Sequence, residues 1–297
     1  MSEPTDRQAV DVEGHRLVLT HLGRVLFPRT GETKAAALQY YARIAPVMVP
    51  HTAGRPASFV RAPEGPGGQR WYAKTPPAGL PDWVRTVEVT GSEGPAPYVV
   101  VDSTASLVAV ANLGAYEIHV PQWTADAGPD AHDRVVFDLD PGAGADLTDC
   151  CRVALRLREE LTADGLTACP VVSGSKGLHL YACVEPAPQR AVSGYAKKLA
   201  ERLAAEDPGR VTAVMAKAAR PGRVFIDWSQ NATAKTTAAP YTLRLKDRPA
   251  VAAPVTWDEV AACRDPGRLL LTPDQVLDRV ERHGDLLDAL GDPAALP

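Results

Sequence analysis

VVFDLDPG, residues 135–142, is an apolar run interrupted by Asp138 and Asp140. Its character predicts a strand over Arg134–Leu139, and side chains two apart on a strand share a face. Both carboxylates therefore project together, while Phe137 and Leu139 project the other way. Two like charges at that spacing repel, and a hard cation such as Mg²⁺ or Mn²⁺ between them resolves the repulsion. The pair alone leaves alternatives open, because capped turns, sugar transferases and aspartyl-nucleophile phosphatases also carry it. The phosphatase pattern expects Thr or Val where this chain has Pro141.

Two further stretches narrow the choice. RVFIDWSQN, residues 223–231, places a single acid, Asp227, in a strand of Val224, Phe225, Ile226 and Trp228. Lone acids in such strands need a partner. If this strand lies beside the first, three carboxylates converge, enough to hold two divalent ions; otherwise Asp227 is a strand-end acid paired with Arg220 or Arg223. Between them, VVSGSKGLHLY, residues 171–181, brackets Ser175 and Lys176 with Gly174 and Gly177, flanked by Ser173 and His179. The spacing is not that of a Walker loop. A glycine-rich turn with amides, hydroxyl, ammonium and imidazole nevertheless suits a triphosphate, a plain polar hairpin being the alternative.

Working outward, alternation predicts a strand at Arg16–Leu19 and helical spacing predicts a helix over Thr33–Val49. Pro56–Arg61 and Trp71–Lys74 read as strands joined by the turn APEGPGGQ. Asp102 or Ser103 caps a short helix through Ala111, and Ala115–Val120 is a strand. The Gly-, Pro- and Asp-bearing segment Thr124–Asp133 is the linker candidate between two lobes. Helices follow at Asp149–Asp164 and Val192–Glu206, with strands at Val171–Val172, Leu178–Val184 and Arg223–Trp228. Capping boxes at Thr256/Glu259 and Thr272/Gln275 start two more helices.

The 297 residues, 45% hydrophobic and 23% charged, exclude a disordered chain. No run approaches the ~20 apolar residues of a membrane span, and the polar start lacks a signal core, so a cytoplasmic protein is expected. The five cysteines form no CxxC or Cys/His knuckle, which argues against zinc. The net charge of −4 argues against a nonspecific nucleic-acid binder. The charge is segregated, however: His15–Arg85 holds ten basic residues against three acidic, and Arg190–Arg248 twelve against five. Such flanks suit a polyanion, with divalent cations at an acidic centre, although two solvated surfaces would give the same count.

Taken together, LTHLGRVLFPRTGETKAAALQYYARIAPVM, HTAGRP, WYAKTPP, LGAYEIHVPQW, VVFDLDPG, SGSKGLHLY and VFIDWSQNATAKTTAAPYTLR resemble, in that order and over nearly the whole chain, one family. It is the polymerase domain of bacterial ligase D, in the archaeo-eukaryotic primase superfamily. The resemblance implies a mixed α/β fold, with a catalytic sheet like that of RNA-recognition folds (134–297) and an N-terminal lobe (1–123) completing a DNA-binding cleft.

By the same resemblance, Asp138, Asp140 and Asp227 would bind two Mn²⁺ or Mg²⁺ ions for nucleotidyl transfer. Ser173, Lys176 and His179 would bind the triphosphate, with Arg220, Gln230, Arg244, Lys235 and Lys246 closing around phosphate and sugar. His119 would reach the nucleotide or its metal, and Arg61 matches a basic position near the nucleotide. Arg24 and Lys34 match residues that recognise a DNA 5′-phosphate; His21 stands there where the family often has Asn. Trp71 and Tyr72 match aromatics that stack on template bases, ordinary strand packing being the alternative. The implied activity is template-directed primer extension and short-gap filling in non-homologous end joining, with NTPs or dNTPs, ribonucleotides being commonly preferred. No KxDG ligase motif occurs, so a separate DNA ligase and an end-binding protein are expected partners, in a bacterial, nucleoid-associated setting. A stand-alone primase-polymerase for excision repair and a non-catalytic end-synapsis module are the alternatives.

Overall fold

The computed structural model describes residues 6–65, 68–91 and 94–297. The chain forms two units. The first comprises residues 1–120, 238–251 and 272–282, and the second 121–237, 252–271 and 283–297.

In the first unit, Arg7–Val12 and His15–Thr20 form an antiparallel hairpin. Helix α1 (Lys34–Thr52) follows, running through Pro46 and Pro50 and so past the end expected at Val49. Its apolar residues Leu38, Tyr41, Ile44, Ala45 and Met48 are buried. Pro56–Arg61 is a central strand, paired antiparallel with Ala115–Val120 on one side. On its other side it pairs with Gly94–Val100 at its start and with Trp71–Ala73 at its end. Of the turn before Trp71, Pro66 and Gly67 lie outside the described residues. Thr86–Gly91 pairs with Gly94–Val100. Helix α2 (Thr104–Asn112) starts at a Ser103/Ser106 capping box, the second of the two cap positions, Asp102 or Ser103, expected from sequence.

In the second unit the order is strand His132–Pro141, helix α3 (Leu147–Ala163), strands Ala168–Val172 and Leu178–Ala187, helix α4 (Gln189–Glu206) and strand Val224–Asp227. This βαββαβ order gives four antiparallel strands with Val224–Asp227 outside His132–Pro141, and Leu178–Ala187 on the other side, then Ala168–Val172. It is the sheet expected of an RNA-recognition-like catalytic core. Short strands Val211–Thr212 and Ala253–Pro254 extend its two edges. Val135, Phe137 and Leu139 are fully buried, and the alternating Asp138 and Asp140 face the other way. Segment 124–131 lies within this unit: the Trp123 indole donates to the Thr233 carbonyl at 3.0 Å and the Thr233 hydroxyl to that of Pro129 at 3.1 Å. Helix α5 (Trp257–Ala262) begins at the Thr256/Glu259 box. Helix α6 (Pro273–His283) begins beside Thr272, whose amide donates to the Gln275 side chain at 2.9 Å. Among the described residues no helix is long and apolar enough to cross a membrane.

Candidate active site

Strand pairing in the second unit sets Asp138 directly opposite Asp227 on one side and His179 on the other. Cross-strand partners share a face, so the three form a row, with Asp140 two residues along on the same face. His179 Nε2 lies 3.5 Å from Asp138 Oδ1, and Lys176 Nζ lies 3.7 Å from Asp140 Oδ1. Their carboxylates remain reachable from solvent, with side-chain exposures of 18% for Asp138 and 35% for Asp140. Asp227 accepts from the Ser229 amide at 3.1 Å and hydroxyl at 2.5 Å, and from Gln230 Nε2 at 3.0 Å. The alternative pairing with Arg220 or Arg223 is absent: Arg220 lies 3.8 Å over the Phe225 ring and donates to the Met215 carbonyl, and Arg223 donates to that of Ala219.

Two glycines allow the loops to close on this row. A Cβ on Gly177 would stand 2.3 Å from the Leu139 carbonyl oxygen, and one on Gly142 would stand 1.9 Å from that of Arg220. The first lets the 173–177 turn lie on the aspartate strand, which brings Lys176 Nζ to 3.1 Å from the Pro141 carbonyl. The Ser173 hydroxyl holds that turn by accepting from the amides of Ser175 and Gly177 at 3.3 and 3.2 Å. Lys235 is exposed in the turn after Asn231.

Three carboxylates on one face are a hard-oxygen donor set suited to Mg²⁺ or Mn²⁺. Among the described residues, however, no three His, Cys, Asp or Glu side chains form a ready-made ion site. Asp140 is turned to Lys176, and Asp227 to Ser229 and Gln230. An ion held at this row would have to take these side chains from those local partners. The buried Oε1 of Gln230, without a hydrogen-bond partner among the described residues, adds an acceptor beside the row.

The first unit holds the remaining residues. Lys34, the first residue of α1, is buried and donates from Nζ to the Asn112 carbonyl at 2.5 Å. Its amide donates to the Arg24 carbonyl at 2.8 Å, and the Arg24 amide to that of His21 at 3.1 Å, so the three share one turn. Burial, then the Arg24 guanidinium, pull the Lys34 ammonium from 10.5 down to about 8. Arg24 also donates to the Pro63 carbonyl. His21 has φ +56°, a left-handed conformation that Asn and His tolerate better than most residues.

Trp71 and Tyr72 are 37% and 48% exposed on their edge strand, and neighbours on a strand face opposite ways. Arg61 lies 5.1 Å over the Trp71 ring and donates to the Leu113 carbonyl at 3.0 Å. The Tyr72 ring meets that of His119 edge-on at 5.8 Å. Arg244 ends the short strand Leu243–Arg244, and the exposed Lys246 lies in the turn between it and Ala250–Val251.

Two residues were not singled out from the sequence. Glu117, buried, accepts from His119, Arg244 and the Leu245 amide; its signal was an acid two residues from His119 in an otherwise apolar strand. Asn231, also buried, binds both backbone polar atoms of Val136, and nothing local in sequence announces it.

The family model "LigD, primase-polymerase domain" matches residues 33–287. The multifunctional non-homologous end joining protein LigD of Mycolicibacterium smegmatis is 45% identical over 279 residues, 93% of this chain and 36% of that protein. The bifunctional LigD of Bacillus subtilis is 28% identical over 271 residues, 91% of this chain and 43% of that protein. The chain thus spans less than half the length of these curated relatives. The polymerase domain of Mycobacterium tuberculosis ligase D, solved in complex with DNA, superposes with a TM-score of 0.88 at 43% identity, covering 93% of this chain and 98% of that domain. A sheet carrying Asp138, Asp227 and His179 in one row, and a match over most of the chain, lead to one assignment: the chain belongs to the LigD primase-polymerase domain family.

Proposed function

We propose that this chain is a metal-dependent, template-directed nucleotidyltransferase. It extends a primer 3′-hydroxyl at gaps or breaks that carry a downstream 5′-phosphate, in non-homologous end joining. The observation that carries the proposal is the register that sets Asp138 opposite Asp227 with Asp140 on the same face. Family membership supports the reaction class, and the DNA in the solved relative's complex supports the substrate.

On this reading Asp138, Asp140 and Asp227 would hold two Mn²⁺ or Mg²⁺ ions, which would supply Lewis-acid charge for nucleotidyl transfer. Lys176 and Arg220 supply positive charge for the triphosphate and His179 its ring nitrogens, with the turn shaped by Ser173. Lys176 also offsets carboxylate repulsion until the substrate arrives. Gln230 offers its Oε1 to a sugar hydroxyl. The other residues expected to serve the nucleotide are His119, Arg61 and Arg244, with Lys246 in an outer role, in the first unit, and Lys235 in the second. Arg24, Lys34 and His21 receive the 5′-phosphate, and Trp71 and Tyr72 offer rings to unpaired template bases. A DNA ligase and an end-binding protein are the expected partners in the cell, at the nucleoid.

The test is primer extension on a short-gapped duplex, with and without the downstream 5′-phosphate, with Mn²⁺ or Mg²⁺ and with rNTPs or dNTPs. Phosphate-stimulated extension that disappears in Asp138→Ala is expected. Phosphate-dependent DNA binding with no extension under any of these conditions would leave an end-binding module instead.

A further inference from the structure

Strand Ala115–Val120 places Glu117 and His119 two residues apart, hence on one face. Glu117 is only 5% exposed, and a carboxylate so buried is tolerable only when donors surround it. Three do. The Leu245 amide donates to Oε1 at 2.7 Å, Arg244 Nε donates to Oε2 at 3.0 Å, and His119 Nε2 lies 3.4 Å from the same oxygen. The returning segment is fixed by a second tie, the Ile118 amide donating to the Thr242 hydroxyl at 2.8 Å.

We infer that Glu117 is a positioning residue that presents His119 and Arg244 as a preset pair to the phosphates of an incoming nucleotide. The inference rests on the nucleotide-contacting roles proposed above for those two side chains. Binding Nε fixes the plane of the Arg244 guanidinium, so the edge bearing its Nη groups has one orientation. Binding Nε2 commits that ring nitrogen of His119 to the carboxylate and leaves ligand chemistry to Nδ1. Ordering both side chains before the substrate arrives lowers the entropy lost on binding.

The arrangement needs a carboxylate rather than any polar group of that shape. Both oxygens act as acceptors, and an amide in either orientation would turn a donor toward a donor. Burial pushes Glu117 up, but the His119 hydrogen bond, the Arg244 guanidinium and the Leu245 amide outweigh it and bring it to about 2. It is therefore ionised throughout the neutral range.

The experiment compares Glu117→Gln, Glu117→Asp and wild type in the full chain. It measures labelled-nucleotide affinity, steady-state extension and ¹⁵N-imidazole spectra, with the His119 signal identified by His119→Gln. Expected for Glu117→Gln are a KM and Kd for nucleotide raised about tenfold, kcat changed less than KM, and a His119 spectrum moved away from the Nε2–H tautomer. Glu117→Asp recovers part of the affinity. Wild-type affinity in Glu117→Gln overturns the proposal whatever the spectrum shows, and so does an unmoved spectrum. Equal losses of kcat and of folded protein, with KM unchanged, assign Glu117 to the core and also overturn it. If His119→Gln and Arg244→Gln themselves leave nucleotide affinity unchanged, the nucleotide reading of this unit fails, while the spectrum still reports whether Glu117 holds the ring.

Discussion

The side-chain amide of Asn231 stands in for a neighbouring strand beside Val136. Its Oδ1 accepts from the Val136 amide at 2.8 Å, and its Nδ2 donates to the Val136 carbonyl at 2.7 Å. Strand Val224–Asp227 stops at Asp227 and the chain coils away, so one residue's side chain completes the ladder two positions before Asp138. Asn231→Ala leaves two buried backbone groups without this partner and should cost about 2–4 kcal/mol. Urea unfolding checks the cost. Activity should fall further than stability explains, because Asp227 and Asp138 lose their common support.

Three carboxylates on one face repel, and that strain serves the site rather than the fold. Asp138→Asn should abolish extension yet melt no lower than wild type without metal. Millimolar Mn²⁺ should raise the melting temperature of wild type, by an amount equivalent to about 3 kcal/mol at 100-fold over Kd, and that of the variant much less. Calorimetry in chelator and in Mn²⁺ measures both.

Gly142 and Gly177 have no room for a methyl group, whereas Gly194, within α4, has no atom within 4 Å of its would-be Cβ. Gly142→Ala or Gly177→Ala should displace backbone at the aspartate row and lose both stability and activity. Gly194→Ala should stabilise by about 0.5–1 kcal/mol through helix propensity and leave extension unchanged. Thermal melts beside extension rates separate the two cases.

Lys34 titrates near 8 rather than 10.5, with two consequences of opposite sign. Between those values the unfolded lysine binds a proton that the folded one does not, so stability of the DNA-free protein rises with pH and is lost again as pH falls through 8. Affinity for a 5′-phosphorylated end instead weakens above pH 8, by about tenfold at pH 9, as the ammonium charge disappears. Lys34→Ala should remove both trends. Anisotropy titrations from pH 7 to 9 and denaturation from pH 8 to 10.5 test them.

The aspartate strand and its facing were legible because period-two alternation is a local signal, and the same holds for the capping boxes at Thr256 and Thr272. The hairpin Thr86–Gly91/Gly94–Val100 was not, since Pro95 and Pro97 argue against a strand. Helix α1 likewise continues through Pro46 and Pro50, where tertiary burial of its apolar face outweighs the lost hydrogen bonds. Most of the candidate site lay in motifs the family shares. The roles of Asn231 and Glu117 were not legible for another reason, although Glu117 stood out as an acid in an apolar strand: their partners, Val136 and Arg244, are 95 and 127 residues away in the chain. Pairings at such separation are set by the fold, which no window of sequence contains.

Each unit is assembled from three separate stretches of chain, the first closing only with residues 272–282 and the second only with 283–297. During synthesis, then, neither half can finish folding until residues 272–297 have left the ribosome, and Glu117 must wait for Arg244 with its charge exposed. A nonsense mutation or proteolytic nick near residue 237 would not release one working half and discard the other; it would leave two incomplete ones.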